Sequence, residues 1–205
     1  MAFEDGGKPS VDGMEKGEVV DGSCPIAKAK FPVWPFIMVL RVLAFCATVT
    51  ATVVMALDKQ TNTIVVATVG NTPIIGTFSA KFQQTPAFVF FVIANAIASL
   101  YNLSLLLVVG WFGEKLYTKG FGLLITVSDM VMVGLVASGA AGAAFMAELG
   151  KNGNSEARWT KICDKFDSFC DHAEDALIAS FTGIGLLMAL NVLSTIKLYR
   201  IPARS

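Results

Sequence analysis

The chain has 205 residues, of which 54% are hydrophobic, and its formal net charge at pH 7 is zero. Its mean hydropathy of +0.62 is too high for a water-soluble domain of average composition. The balanced charge gives no indication of a nucleic-acid partner. Composition therefore predicts a membrane protein.

Four long apolar runs divide the chain, and each holds at least the roughly 20 residues that a helix needs to cross hydrocarbon. Too little chain remains outside them to build a soluble core. The predicted fold class is an all-α membrane protein, a four-transmembrane-helix bundle over residues 35–197. The predicted spans are about 35–57, 87–112, 120–147 and 176–196.

The segments that flank the bundle set its predicted orientation. Residues 1–34 hold six acidic residues and four lysines with no apolar run, which predicts a disordered tail rather than a cleaved signal peptide. Residues 1–34, 113–119 and 197–205 together carry nine Lys and Arg residues, against six in the 58–86 and 148–175 loops. The positive-inside rule then predicts that the N-terminal tail and the C-terminal tail, 198–205, are both cytoplasmic.

The first apolar run, PFIMVLRVLAFCATVTATVVMAL, contains a single charged residue, Arg41. A charge near mid-helix costs about 2.5 to 3.5 kcal/mol on insertion scales, whereas each Leu, Ile, Phe or Val returns only about 0.3 to 0.6 kcal/mol. Within the four runs the only other charged residue is Asp129, in the third. Spans one and three run in the same direction, and the two residues lie roughly 9 and 14 Å from the inner surface at 1.5 Å per residue. We therefore expect an intramembrane ion pair, since a guanidinium suits a carboxylate.

This pair admits more than one interpretation. It could lie in an ion or proton pathway, as intramembrane ionisable residues often do. A structural clamp between spans one and three is favoured, because a pathway usually needs a chain of titratable groups and the spans supply one acid and one base. In a further alternative, Arg41 extends to the inner headgroups and Asp129 is protonated.

The first loop, DKQTNTIVVATVGNTPIIGTFSAKFQQTP, is rich in Thr, Val and Ile. Two such runs are separated by Gly70, Asn71 and Pro73, which are turn-forming residues. This pattern predicts a small extracellular β-hairpin that pairs about 62–69 with 74–82.

The third span contains small residues at every fourth position, namely Gly134, Ser138 and Gly142. Small residues at this spacing let two helix backbones approach closely. They predict a helix-packing face, whose neighbour is either another span of this chain or a second copy. Asparagines in the second and fourth spans are expected to hydrogen-bond between helices; they are Asn95, Asn102 and Asn191.

The second loop, NGNSEARWTKICDKFDSFCDHAED, contains two of the four cysteines. Seven residues of continuous helix would separate Cys163 and Cys170 by about 10.5 Å, beyond the roughly 7 Å limit for a bridge. Because an outward loop lies in an oxidising compartment, we predict a Cys163–Cys170 disulfide that closes a short turn. A metal site that uses His172 is a weaker alternative, since its spacing matches no known ligand pattern.

The chain carries no Cys-x-x-Cys pair, Gly-rich phosphate loop, zinc motif or nucleophile elbow. We therefore expect no enzyme activity, no cofactor, no catalytic residues and no metal. Cys24, in the N-terminal tail, is a candidate for palmitoylation.

Three features together resemble the plant Casparian strip membrane domain protein-like family, the CASP-like proteins, which are related to the MARVEL group of four-span proteins. They are the span-one arginine (Arg41), the span-three aspartate (Asp129) and the cysteine pair within WTKICDKFDSFC. The stretch FSAKFQQTPAFVFFVIANAI resembles the first CASP-like subgroup. The resemblance covers roughly residues 30 to 200.

The resemblance implies a plasma-membrane scaffold that forms homo-oligomers and hetero-oligomers with related CASP-like proteins, contacts membrane lipids and recruits cell-wall-modifying enzymes. Casparian strip members themselves carry a first-loop signature resembling E-S-L-P-F-F-T-Q-F, where this chain has KFQQTPAFVFF. The implied role is therefore an oligomeric scaffold rather than a Casparian strip component. The alternative from a different class is a small-solute channel or transporter that uses Arg41 and Asp129.

Overall fold

Four long helices make up most of the computed structural model, which describes residues 33–113 and 119–200. Each helix is long and apolar enough to cross a membrane, and a two-stranded antiparallel sheet lies between the first two. The predicted fold class is confirmed. The helices are α1 (Val33–Leu57), α2 (Pro86–Phe112), α3 (Lys119–Asn152) and α4 (Asp167–Arg200).

The helices continue beyond the predicted spans, because hydropathy marks the hydrocarbon-crossing part of a helix rather than its ends. The last turns of α3 and the first turns of α4 are polar, and Lys151 Nζ lies 3.4 Å from Glu174 Oε2 between them. Helices α1 and α4 also include residues 33–34 and 198–200, which hydropathy assigned to the tails. The predictions for residues 1–32, including Cys24, and for 201–205 lie outside the described residues.

The predicted hairpin is formed by β1 (Lys59–Val69) and β2 (Thr72–Lys81). Its two-residue turn begins at Gly70, which has a φ of 64°. A type II′ turn requires a positive φ at that position. A register shift between Val65 and Ala67 places a bulge in β1. Strand β1 begins three residues earlier than predicted, because the polar residues at the base of the hairpin also pair. Strand β2 begins two residues earlier than predicted, next to the turn, and ends one residue earlier, at Lys81.

The hairpin and the second loop lie at the same end of the bundle. The side-chain amide of Asn62 donates to the carbonyl of Lys165, and the backbone N–H of Phe169 donates to Gln60 Oε1 at 2.9 Å. We call this region, residues 58–85 and 153–170, the hairpin end. The helices α1 to α4 therefore run alternately toward and away from it.

The closest approach of α2 and α3 is made by Gly139, a glycine outside the predicted four-residue repeat. A Cβ built at Gly139 would lie 3.2 Å from the Cβ of Ala94 and 3.3 Å from the Cα of Phe91. Gly134 has no heavy atom within 4 Å of a built Cβ, and Ser138 is exposed.

The third predicted packing residue, Gly142, does face another helix of this chain. A Cβ built there would lie 4.0 Å from that of Ala87 on α2. Residues spaced by four do not stay on one face of a helix with 3.6 residues per turn. Gly134 therefore lies on the outer surface of the bundle, and Gly142 faces α2. A comparable contact joins α4 to α1, where a Cβ at Gly183 would lie 3.2 Å from Thr48 Cγ2.

We predict that Gly139→Leu lowers the melting temperature of the detergent-solubilised protein, because the added side chain would meet the α2 backbone. Overpacking of this kind typically costs about 1 to 3 kcal/mol. Gly134→Leu, the same change on the same helix in open space, is the matched control and should leave the melting temperature unchanged. Equal destabilisation by both variants would contradict the assigned α2–α3 contact.

Candidate functional site

Arg41 lies on the buried face of α1. Its neighbours on this face recur every three or four residues and are small or apolar, apart from one threonine. Because Arg41 is in phase with them, its side chain enters the bundle, where only 2% of the residue is exposed. The buried residues on this face are Ile37, Arg41, Ala44, Thr48, Ala51 and Met55.

Arg41 and Asp129 form a two-pronged ion pair between α1 and α3. Nη1 of Arg41 lies 3.1 Å from Oδ1 of Asp129, and Nη2 lies 2.9 Å from Oδ2. Asp129 is fully buried. The planar guanidinium thus meets both carboxylate oxygens, which is the arrangement that charge-assisted pairs favour. The structure does not adopt the alternative in which Arg41 extends toward headgroups.

Helix α2 completes this site with two residues that sequence analysis did not assign to it. The hydroxyl of Tyr101 donates to Asp129 Oδ1 at 2.8 Å, and Arg41 Nη1 donates to Asn102 Oδ1 at 3.4 Å. The guanidinium carbon also lies 6.0 Å from the centroid of the Tyr101 ring, within range of a cation–π interaction. We call these four residues the polar cluster.

A depth estimate would have identified Tyr101. With α2 running opposite to α1 and α3, Tyr101 lies 11 residues before the helix ends at Phe112, or roughly 16 Å at 1.5 Å per residue. That depth matches the value of about 14 Å derived for Asp129 in the same way. Tyrosine carries no formal charge, so a search for charged residues alone passes over it.

The polar cluster is closed. Asn102 Nδ2 donates to the carbonyl of Ala98 at 2.9 Å, and no buried polar side-chain atom of the four residues lacks a hydrogen-bond partner. Opposite charges are neutralised, and the neutral donors and acceptors bond to one another or to neighbouring backbone carbonyls. This arrangement favours the clamp over a pathway, because the groups are already bonded to one another.

Helix α4 is connected to the bundle by hydrogen bonds that involve two of the predicted asparagines and lie outside the polar cluster. Ser180 donates to Asn95 Oδ1 at 3.0 Å, and Asn191 donates to the carbonyl of Thr126 at 2.8 Å. These bonds tie α4 to α2 and α3. The asparagines therefore act in helix packing, as expected.

The predicted disulfide is confirmed at the hairpin end. Cys163 and Cys170 are bonded with their Cα atoms 5.7 Å apart. Helix α4 begins at Asp167, between the two cysteines, so the helix and the bond are compatible. Nδ1 of His172 faces Asp58 Oδ1 at 3.2 Å, and the cysteines are bonded to each other. This arrangement leaves no basis for the weaker metal-site alternative.

Asp58 fastens the base of the hairpin to α4 through His172. Its side chain is nearly fully buried, whereas that of His172 is half-exposed. Burial raises the pKa of the Asp58 carboxyl above its ordinary value, and the hydrogen bond and charge of His172 oppose that rise. Ionisation of this carboxyl therefore works against folding.

We predict that removing the charge of Asp129 destabilises the bundle more than removing the hydroxyl of Tyr101. Asp129→Asn would leave Arg41 buried without a counter-charge, at a cost of about 3 to 5 kcal/mol. Tyr101→Phe removes one hydrogen bond to a charged group and should cost about 1.5 to 3 kcal/mol. The melting temperature in detergent measures both effects.

The control for Tyr101→Phe is Tyr199→Phe, the same change at a residue that is 92% exposed on α4. The charge swap, Arg41→Asp with Asp129→Arg, should recover part of the stability that Asp129→Asn loses. An Asp129→Asn variant as stable as the parent would show that the pair does not clamp the bundle.

A second prediction concerns pH. A carboxyl whose pKa is raised on folding stabilises the folded state below its unfolded pKa and loses that contribution as pH rises through the raised value. The parent protein should therefore lose stability relative to Asp58→Asn as the pH rises above about 4, the ordinary pKa of an aspartate. Asp171→Asn, at an exposed position, is the control. A parent-to-variant difference that is independent of pH would contradict the prediction.

Comparison with known proteins agrees with this geometry. The model of the Casparian strip membrane protein domain matches residues 32–186, which contain the polar cluster, the hairpin and the disulfide. The chain is 56% identical to CASP-like protein 1B1 of Populus trichocarpa over 187 residues, covering 91% of this chain and 95% of that protein.

Two further relatives give the same result. CASP-like protein 1B2 of Populus trichocarpa is 60% identical over 166 residues, with 80% of this chain and 82% of that protein covered. CASP-like protein 1B2 of Vitis vinifera is 53% identical over 191 residues, covering 91% and 92%. No solved structure matches. The resemblance drawn from the sequence is confirmed, and this multi-pass membrane protein belongs to the Casparian strip membrane protein domain family.

Proposed function

We propose that this protein is an oligomeric scaffold of the plasma membrane, which organises a membrane subdomain and recruits partners at its hairpin end. Its partners would be further copies of the chain, related CASP-like proteins, membrane lipids and cell-wall-modifying enzymes. The observation that carries the proposal is the closed polar cluster, because it holds α1, α2 and α3 in one rigid arrangement.

A channel or transporter needs polar groups that can exchange bonds with a solute. In the polar cluster, Asp129 accepts from two Arg41 nitrogens and from Tyr101. Release of Arg41 from Asp129 would leave two charges buried without a counter-charge, which costs several kcal/mol. The cluster therefore supports a structural role over transport.

The orientation that we propose places the hairpin end outside the cell and both termini in the cytoplasm. The Lys and Arg distribution, nine against six, supports this orientation. The Cys163–Cys170 disulfide supports it independently, because disulfides persist in oxidising compartments such as the cell exterior. A hairpin end that faces the cell wall is suitably placed to meet wall-modifying enzymes.

Mass and permeability measurements on the purified protein test the proposal. We expect the mass in mild detergent to be a multiple of the chain's 21.8 kDa, and we expect liposomes that contain the protein to stay sealed to ions and small solutes. Fluorescent fusions at the plasma membrane should diffuse more slowly than a monomeric four-span control protein.

A monomeric mass together with free lateral diffusion would overturn the scaffold. Solute flux through liposomes that changes in Asp129→Asn would favour the channel or transporter. Because this variant is also expected to be less stable, flux is compared only between samples that elute as folded protein, with Tyr199→Phe as the unaffected reference.

A further inference from the structure

The hairpin is long, exposed and uncharged. Every residue from Gln60 to Ala80 lacks a charged side chain, and Lys59 and Lys81 stand at the two ends of this stretch. By contrast, the other loop at this end, 148–175, carries seven acidic and four basic residues. The strands of 11 and 10 residues span roughly 33 Å at 3.3 Å per residue.

Apolar side chains along the hairpin are open to their surroundings. Ile75 is 63% exposed and Val65 is 59% exposed, and Ile74 and Phe78 are about half-exposed. In the described residues the hairpin is held at its base, through Gln60 and Asn62 on β1 and through Ala80 on β2, which packs against the core. A two-stranded hairpin of this kind is marginally stable by itself, and three or more strands give independent stability.

The two strands offer different edges. In the described part of the chain the sheet contains only β1 and β2, so each strand has one edge whose backbone groups pair with no other strand. The β1 edge is interrupted by the bulge between Val65 and Ala67. The β2 edge runs from Ile74 to Ala80 without proline, charge or bulge.

Natural proteins usually protect such an edge with charges, bulges or a covering segment, because an open edge is a template for another strand. The segment Ile74 to Ala80 lacks the charges and the bulge. We propose that the β2 edge pairs with the β2 edge of a second copy of this chain, which gives a four-stranded sheet across two protomers. This inference rests on the proposed oligomeric scaffold and names one of its contact surfaces.

Charge complementarity favours a second copy as the occupant. Two identical uncharged edges meet without repulsion, whereas a partner with a strongly charged surface would gain nothing from this stretch. A lipid surface would leave the edge N–H and C=O groups without partners. A wall polysaccharide would find one aromatic side chain, Phe78, between residues 60 and 80.

Strand pairing alone would bury less than the roughly 1,200 to 2,000 Å² of a stable complex in solution. Both copies are held in one membrane plane, which raises their effective concentration. A small interface at the hairpin end is therefore sufficient when it adds to contacts between the bundles.

Double lysine variants test the β2 edge, and the residues that face them on β1 provide the control. Ile75 and Thr77 lie opposite Val65 and Thr63, and all four are exposed. Ile75→Lys with Thr77→Lys places like charges at the β2 edge, whereas Val65→Lys with Thr63→Lys places the same charges one strand away. Like charges on facing strands disfavour pairing. We expect the first double variant to weaken dimerisation in nanodiscs about 10-fold, and the second less than about 2-fold.

Cysteine cross-linking locates the contact. In a background with Cys24→Ser and Cys46→Ser, single cysteines at Ile75, Thr77 and Ser79 are compared with cysteines at their register partners Val65, Thr63 and Thr61. Neighbouring strands place Cα atoms about 4.5 to 5.5 Å apart, which suits a disulfide. We expect at least one β2 position to form a linked dimer in membranes and the β1 positions to stay unlinked.

Equal cross-linking from both strands, or equal dimerisation of the two double variants, overturns the β2 contact. If the parent protein still forms oligomers in either case, the scaffold proposal stands and only this surface falls. If the parent is monomeric, both proposals fall. Loss of vesicle or glycan binding in the β2 variant, with dimerisation unchanged, would assign the edge to a lipid or wall partner and also overturn the inference.

Discussion

The bond between Arg41 and Asp129 is the constraint on which the bundle depends. Each charge alone would be expensive in hydrocarbon, and the desolvation cost of two ions can exceed their attraction unless hydrogen bonds satisfy the rest. Tyr101 and Asn102 supply those bonds from α2. The pair is therefore tolerated only in an arrangement where α1, α2 and α3 meet at the same depth, and this requirement fixes their relative positions along the membrane normal.

This constraint matters because lipid supplies little other specificity. Side chains that pack between helices gain no hydrophobic energy over side chains in contact with lipid, so close packing and hydrogen bonds determine which helix faces match. The bundle uses both means. Gly139 and Gly183 bring backbones together, the asparagine bonds hold α4, and Lys197 Nζ lies 4.2 Å from the Trp34 ring centroid between α4 and α1.

The sequence was sufficient for features that depend on the length of a segment, on the free energy of placing a charge in hydrocarbon, or on the spacing of residues. Apolar runs identified the spans, the expense of Arg41 and Asp129 identified the pair, and helix rise identified the disulfide turn. The sequence was insufficient where a contact depends on which side of its helix a residue faces, or on an uncharged polar side chain. The third span holds many small residues that face several directions, so the sequence alone did not show that Gly139 packs against a helix and Gly134 does not. Tyr101 was missed because a hydroxyl carries little cost until its partner is known.

The two ends of the molecule meet different physical demands. Within the membrane, the buried polar groups of the cluster bond to one another and to nearby backbone, and the outer faces of the four helices expose apolar side chains. At the hairpin end, the disulfide, the Asp58–His172 contact and the hydrogen bonds of Gln60 and Asn62 fix the base of the hairpin. Beyond the base, the outer edge of each strand pairs with no other strand in the described part of the chain. A rigid base holds those strand edges in a fixed orientation. The proposed scaffold requires a fixed orientation if its copies are to assemble in a regular array. In the proposed scaffold, stability is concentrated in the bundle, and association between copies takes place at the hairpin.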